Sequence, residues 1–296
     1  MSIKTLQTNP LHFIDWELDF YSRPIIETDG KKRWELLITT PDSSDGKEPF
    51  RWVKKCPASQ VNSIWLTEAL SEAIRDSDSL GLSRPRLIRC WRSSMRTMIN
   101  KASNKVGLEV LSSRRTYTLF EWIEERERDI YPKEEGYISG PVAPPINPIL
   151  NMPVPLPEAV RGDAWSLSTL SLHVLREANQ WPIQFSGLLP IKKVNNESTE
   201  VLGLRLFSKK RALALAGWLG GLEPVRLVVE GKQLLLEAAQ EDRWLVTDLD
   251  EITAQSAKDS FVNSKKNGGG YQFIAIQSSP EEKSFTGFWM LKDIQM

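Results

Sequence analysis

The chain has 296 residues, 41% of them hydrophobic, and carries 38 basic against 38 acidic side chains for no formal net charge. This length and mixture describe one large or two ordinary globular domains with sizeable cores; they exclude a disordered chain and one that holds polyanions through its overall charge. Two cysteines, Cys56 and Cys90, and two histidines, His12 and His173, are too few and too scattered for a zinc site or a disulfide framework. Two buried thiols are expected instead, with no cofactor and no metal.

Met1 to Pro10 has neither the apolar core of a signal peptide nor the long Arg- and Ser-rich stretch of a transit peptide. The most apolar run, Ala212 to Leu222, is too short to span a bilayer. A cytoplasmic protein without membrane insertion is expected.

In chain order, residues 14–26 and 33–40 read as strands joined by a turn at Asp29-Gly30, and residues 50–55 as a third strand. Residues 61–76 read as a helix, with Trp65, Ala69 and Ala73 beside Leu66, Leu70 and Ile74 on its apolar face. A strand at 86–91 follows, then a helix at 94–106 whose Met95, Met98, Ile99, Ala102 and Val106 recur at helical spacing. A strand at 108–112 and a helix at 116–128 complete an N-terminal α/β domain, residues 1–131. The element order β-β-β-α-β-α-β-α is that of a ribonuclease-H-like mixed sheet with helices.

Eight of the 18 prolines fall between Pro132 and Pro157. Such a run forms neither helix nor central strand, so residues 132–159 are expected as an extended connector. The C-terminal domain, residues 160–296, reads as α+β. Its strands are expected at 201–207, 225–230, 233–238, 243–248, 271–277 and 286–291, its helices at 209–220 and 250–263, and a hairpin turn at Gly231-Lys232. The fold class is therefore α/β (α+β) throughout.

Between residues 81 and 120 stand Arg84, Arg86, Arg89, Arg92, Arg96, Lys101, Lys105, Arg114 and Arg115 against the single acid Glu109, a local charge of 9 − 1 = +8. On the helix at 94–106 the apolar stripe turns inward and leaves Arg96, Lys101 and Lys105 to solvent. Arginine outnumbers lysine seven to two, which suits planar, bidentate phosphate recognition. Trp91 and Tyr117 lie at the margins, where a ring could stack on an unpaired base. These eleven side chains are the candidate polyanion contacts. The competing reading is a solvated face neutralised from within, because residues 121–135 hold seven acids against three bases.

Glu17, Asp19, Glu35 and Glu68 stand where a metal-dependent nuclease would keep some ligands. The fourth strand, however, ends in Cys90-Trp91-Arg92, with no acid to complete a two-metal site. Neither a Gly-x-Ser-x-Gly elbow nor a phosphate-binding glycine loop is present. No enzymatic activity is expected.

The string Trp16-Glu17-Leu18-Asp19-Phe20-Tyr21-Ser22-Arg23-Pro24 is followed by Gly30-Lys31-Lys32-Arg33-Trp34-Glu35-Leu36-Leu37-Ile38, by Val61-Asn62-Ser63 and by the late Gly287-Phe288-Trp289. Together these strings resemble the Tab/Atab family of cyanobacteria, algae and plants. That resemblance implies a non-catalytic protein that binds A/U-rich single-stranded RNA and supports translation of photosystem reaction-centre messages and photosystem assembly. Translation or assembly proteins are further partners, and the alternatives are a protein-binding assembly factor without direct RNA contact and, behind it, a metal-dependent nuclease.

Overall fold

The computed structural model describes residues 14–43, 46–139, 151–191 and 198–293. Met1 to Pro10, His12 and residues 140–150 of the proline-rich stretch lie outside them. The chain divides into two compact units. One comprises residues 1–41, 49–112 and 121–142, the other residues 42–48, 113–120 and 143–296.

The first unit is built on one mixed sheet. Strands β1 (Ile14–Ile26), β2 (Lys32–Thr39) and β3 (Arg51–Cys56) form an antiparallel meander. Helix α1 (Ser63–Ser79) leads to β4 (Pro85–Cys90), and α2 (Arg96–Lys105) leads to β5 (Glu109–Ser112); β4 runs parallel to β1, and β5 to β4. The strand order is β3-β2-β1-β4-β5. Gly30, at a φ of +77°, closes the first hairpin where a left-handed residue is needed, and the Asp29 carboxylate accepts from the Lys31 N–H. Helix α1 starts at Ser63, two residues later than the apolar pattern suggests, because the Asn62 side chain caps it by accepting from the N–H groups of Ile64 and Trp65. A 3-10 turn over Ser93–Met95 likewise delays α2 to Arg96.

The two faces of this sheet are buried by different chemistry. Trp16, Leu18 and Phe20 of β1, with Leu36 and Ile38 of β2, pack on Leu66 and Leu70 of α1 and on Ile99 and Ala102 of α2. Phe20 stacks on Trp65 with ring centroids 5.4 Å apart. Side chains alternate across a strand, so Glu17, Asp19 and Glu35 take the opposite face, where they are also buried.

Uncompensated charges there would cost several kcal/mol each, and three arginines answer Asp19 and Glu35. The fully buried Arg23 lies 2.9 Å from Asp19 and 3.6 Å from Glu35. Arg92 Nε donates to Asp19 at 2.5 Å. From α3 (Tyr117–Asp129), whose residues from 121 onward group with this unit, Arg126 donates to Glu35 at 3.1 Å and to the Tyr131 hydroxyl at 3.0 Å. The Tyr131 O–H in turn donates to Glu35 at 2.8 Å. Burial alone would raise the Asp19 pKa; the guanidiniums of Arg92 and Arg23 override it and hold the carboxyl below its ordinary value.

The second unit contains β6 (Val154–Pro155), β7 (Ala164–Ser171), α4 (Leu172–Arg176), β8 (Phe185–Gly187), β9 (Glu200–Phe207), α5 (Ala212–Gly221), β10 (Pro224–Glu230), β11 (Gln233–Ala238), β12 (Asp242–Asp248), α6 (Glu251–Asn267), β13 (Tyr271–Gln277) and β14 (Gly287–Lys292). They make two sheets, ordered β10-β11-β12-β6 and β7-β9-β13-β14-β8. Strand β13 is buried on both faces. Ile274 and Ile276 meet Leu204, Leu215, Leu234 and Phe261 in one core, while Phe273 and Ala275 meet Leu172, Phe288 and Met290 in the other. The Phe273 ring lies so close to Gly203 that a Cβ there would sit 2.4 Å from it.

Strands β6, β7 and β8 and helix α4 are absent from the sequence reading. The first and third strands have two and three residues, and β7 is an edge strand whose serines and threonine dilute its alternation. Within the expected connector, Val154 and Pro155 pair in parallel with Trp244 and Leu245 of β12. Pro155 is tolerated because β6 is an edge strand. Both cysteines are free and buried, with burial pushing the Cys56 thiol to about 11 and the Cys90 thiol to about 12. No helix among the described residues is long and apolar enough to cross a membrane.

Two substitutions test this account. Asp19→Asn strips two buried guanidiniums of their counter-charge and is expected to cost about 3 kcal/mol at neutral pH. Because the folded-state pKa of Asp19 is depressed, its contribution is full above the ordinary carboxylate value of about 3.9 and fades as pH falls through the lower folded value. Thermal midpoints measured from neutral pH into acid should therefore converge between wild type and variant; a constant gap contradicts the assignment. Gly203→Ala overpacks the β9–β13 pair and is expected to lose about 1–3 kcal/mol in urea unfolding.

Candidate nucleic-acid interface

The structure separates the eleven candidate side chains by the work each already does. Arg114 and Tyr117 are buried, and Arg115 is half-buried. Glu237 on β11 is fully buried and stands in register opposite Arg226 on β10 and Arg243 on β12. Arg226 Nε and Arg114 Nη1 each donate to it at 2.9 Å. Burial would raise the Glu237 pKa, but hydrogen bonds and charge from Arg226 and Arg114 hold it below its ordinary value. Arg115 donates to three backbone carbonyls, of Pro224 at 2.9 Å, Gly187 at 2.7 Å and Met290 at 3.0 Å. The Tyr117 hydroxyl donates to the Val225 carbonyl at 2.6 Å. Each of these three side chains is thus fastened within the second unit, on groups that burial would otherwise leave unsatisfied.

Trp91, Arg92 and Arg89 are also engaged in the fold. Trp91 is only 5% exposed, so its face is closed to a base. The Arg92 guanidinium stands 3.9 Å from the Trp91 ring centroid and 4.0 Å from that of Tyr21 while holding Asp19. Arg89 Nη1 pairs with Asp15 at 2.5 Å. Neutralisation from within is therefore real, and it comes partly from the expected stretch, where Glu127 feels the charge of Arg92. Asp15, Asp19 and Glu237 answer the basic segment, whereas in the acidic stretch Glu125 pairs with Arg51, and Glu134 with Arg33 and Lys55.

Arg84, Arg86, Arg96, Lys101 and Lys105 are exposed. Arg84 Nη2 donates to the Val106 carbonyl at 2.6 Å, which places its charge at the C-terminal end of α2 beside Lys105. Arg96, Lys101 and Lys105 form no ion pair among the described residues. At 3.6 residues per turn, Lys101 and Lys105 share one face of α2 with exposed Thr97 and Asn104, and Arg96 lies on its flank. Reading cations alone missed Thr97 and Asn104, although both fall off the apolar stripe and are short hydrogen-bonding side chains suited to sugar and base edges. This surface can attract phosphates and donate hydrogen bonds, and it presents no exposed ring on α2.

The four acids weighed as nuclease ligands do not converge. Asp19 and Glu35 lie under the arginine cluster, and Glu68 is exposed on α1, which covers the sheet's other face. The position at the end of β4 that lacks an acid holds Arg92, bonded to Asp19. Among the described residues no three His, Cys, Asp or Glu side chains are gathered closely enough to hold a metal ion.

Both units have counterparts in known families. Residues 15–126 match the model of the N-terminal domain of the RNA-binding protein Tab2/Atab2, and residues 144–292 match that of its C-terminal domain. Among curated proteins, the chloroplastic TAB2 homolog of Zea mays is 31% identical over 97% of this chain and 73% of its own length. The chloroplastic TAB2 homolog of Arabidopsis thaliana is 31% identical over 95% of this chain and 75% of its own length. With both domain models matched in order along nearly the whole chain, this protein belongs to the Tab2/Atab2 family of RNA-binding proteins.

Proposed function

We propose that this chain binds A/U-rich single-stranded RNA through the exposed face of α2 and the start of β4, and supports translation of photosystem reaction-centre messages and photosystem assembly without catalysing a reaction. The observation that carries the site is that Arg96, Lys101 and Lys105 remain at the surface without ion pairs among the described residues, while Arg89, Arg92 and Arg114 are committed to buried or half-buried carboxylates. The family supports RNA as the ligand, and the chloroplastic setting of the relatives supports a role in photosynthesis. The exposed cations along α2 support contacts made mainly to the backbone, with Thr97 and Asn104 supplying polar contacts. Protein partners in translation or assembly fit the same reading.

Replacing Arg96, Lys101 and Lys105 together by Glu is expected to weaken binding to an A/U-rich single strand by at least about tenfold. It should also reduce the slope of log affinity against log salt by about 2, at roughly 0.7 per phosphate contact. Its thermal midpoint should stay at the wild-type value. Arg114→Ala is expected to do the reverse, lowering the midpoint by removing one partner of a buried pair while leaving the salt slope of the folded protein unchanged. Wild-type binding and slope in the triple variant would refute the site.

A further inference from the structure

Helix α5 in the second unit is apolar on all sides. Its ten residues, Ala-Leu-Ala-Leu-Ala-Gly-Trp-Leu-Gly-Gly, include no charged or hydrogen-bonding side chain other than the indole of Trp218. A helix of that composition is ordinarily covered on every side, yet only Leu215, Ala216 and Leu219 are buried. Leu213, Ala214, Gly217, Trp218 and Gly221 are exposed. At 3.6 residues per turn these five fall in one continuous sector about 140° wide, opposite the buried stripe. Leu213 is 57% exposed and Trp218 61%. Phe185, 38% exposed, borders the sector, with its ring 3.7 Å from where a Cβ on Gly217 would lie.

The helix is entered through Lys209, Lys210 and Arg211, all exposed. Arg211 is tied to Asp163 at 3.3 Å and to the carbonyls of Glu158 and Arg161, and Asp163 also accepts from the Lys209 N–H. The ammonium groups of Lys209 and Lys210 form no ion pair among the described residues. Three cations against Asp163 leave the entry to the apolar sector with a local excess of +2.

We infer that this face of α5 is a peripheral contact for an anionic lipid surface, with Lys209 and Lys210 at the phosphate level and Leu213, Phe185 and Trp218 inserted at the headgroup–acyl boundary. Apolar side chains on one sector with lysines at its margin are the pattern of helices that lie in a membrane interface, and an indole prefers that depth. Gly217 and Gly221 keep the strip low, so lipid can approach the backbone between the two large side chains. The strip is about 15 Å long and 10 Å wide, far short of the roughly 800 Å² per partner of a stable protein interface. A bilayer demands no such area and no shape match. RNA is disfavoured because Leu213 and Ala214 gain nothing from a phosphate backbone.

The test uses the full chain with vesicles of phosphatidylcholine alone and vesicles that also contain phosphatidylglycerol. Co-sedimentation is expected with the anionic vesicles and to fall with added salt. Lys209→Ala with Lys210→Ala should weaken it about 25-fold, each lysine near an anionic surface being worth about fivefold. Leu213→Ser with Trp218→Ser should abolish it while leaving the A/U-rich RNA affinity unchanged. Because other tryptophans also emit, bromine-labelled acyl chains should quench a component of wild-type fluorescence that is missing from Trp218→Phe. The inference is overturned if wild type fails to sediment with anionic vesicles, if no emission belonging to Trp218 is quenched, or if the Leu213/Trp218 variant loses RNA binding or a concentration-dependent dimer instead.

Discussion

A carboxylate inside a sheet can stay ionised only if something of opposite charge is buried with it, and this condition organises both units. In the first, Asp19 and Glu35 sit beneath one face of the sheet and draw in Arg23, Arg92 and Arg126. In the second, Glu237 sits between two neighbouring strands and draws in Arg226 and Arg114. Buried pairs of this kind add little net stability compared with apolar packing, but removing one member is severe. Their effect is to specify geometry. Arg92 must lie over Asp19, so the chain turns there after β4; Arg114 must reach Glu237, so residues 113–120 belong with the second unit.

The same condition explains what the sequence made legible. Strands and helices with a clear period were readable to within a few residues, because β1, α1 and α2 each turn one regular apolar stripe to the core. The short strands β6 and β8 and the diluted edge strand β7 carry no comparable signal. The cluster of arginines was visible as charge, but charge does not say whether a guanidinium faces water or a carboxylate that is distant along the chain. Arg114 and Glu237 are 123 positions apart and Arg92 and Asp19 are 73 apart, separations no local pattern reports. Trp91 looked available for stacking because of its arginine neighbours; it is Arg92 itself that lies against the ring.

What remains outside is more selective than a uniform basic surface. Within the basic segment the exposed cations gather on α2 and at the start of β4, among short polar side chains, and the buried arginines fix the frame that presents them. A neutral chain can in this way keep a local field for phosphates without the self-repulsion of a high net charge. The apolar sector of α5, in the other unit, is built by different chemistry, so lipid and RNA contacts need not compete for the same residues.

Arg115 has a consequence for the birth of the protein. Its guanidinium holds the Met290 carbonyl, 175 positions further along the chain. At a synthesis rate of about 5–20 residues per second, the arginine is made roughly 9–35 s before that acceptor exists. For that interval Arg115 lacks this one acceptor, although Gly187 and Pro224, its other acceptors, and Glu237, the partner of Arg114, are made earlier. This contact therefore forms only once β14 has been made, a non-local closure of the kind that slows folding.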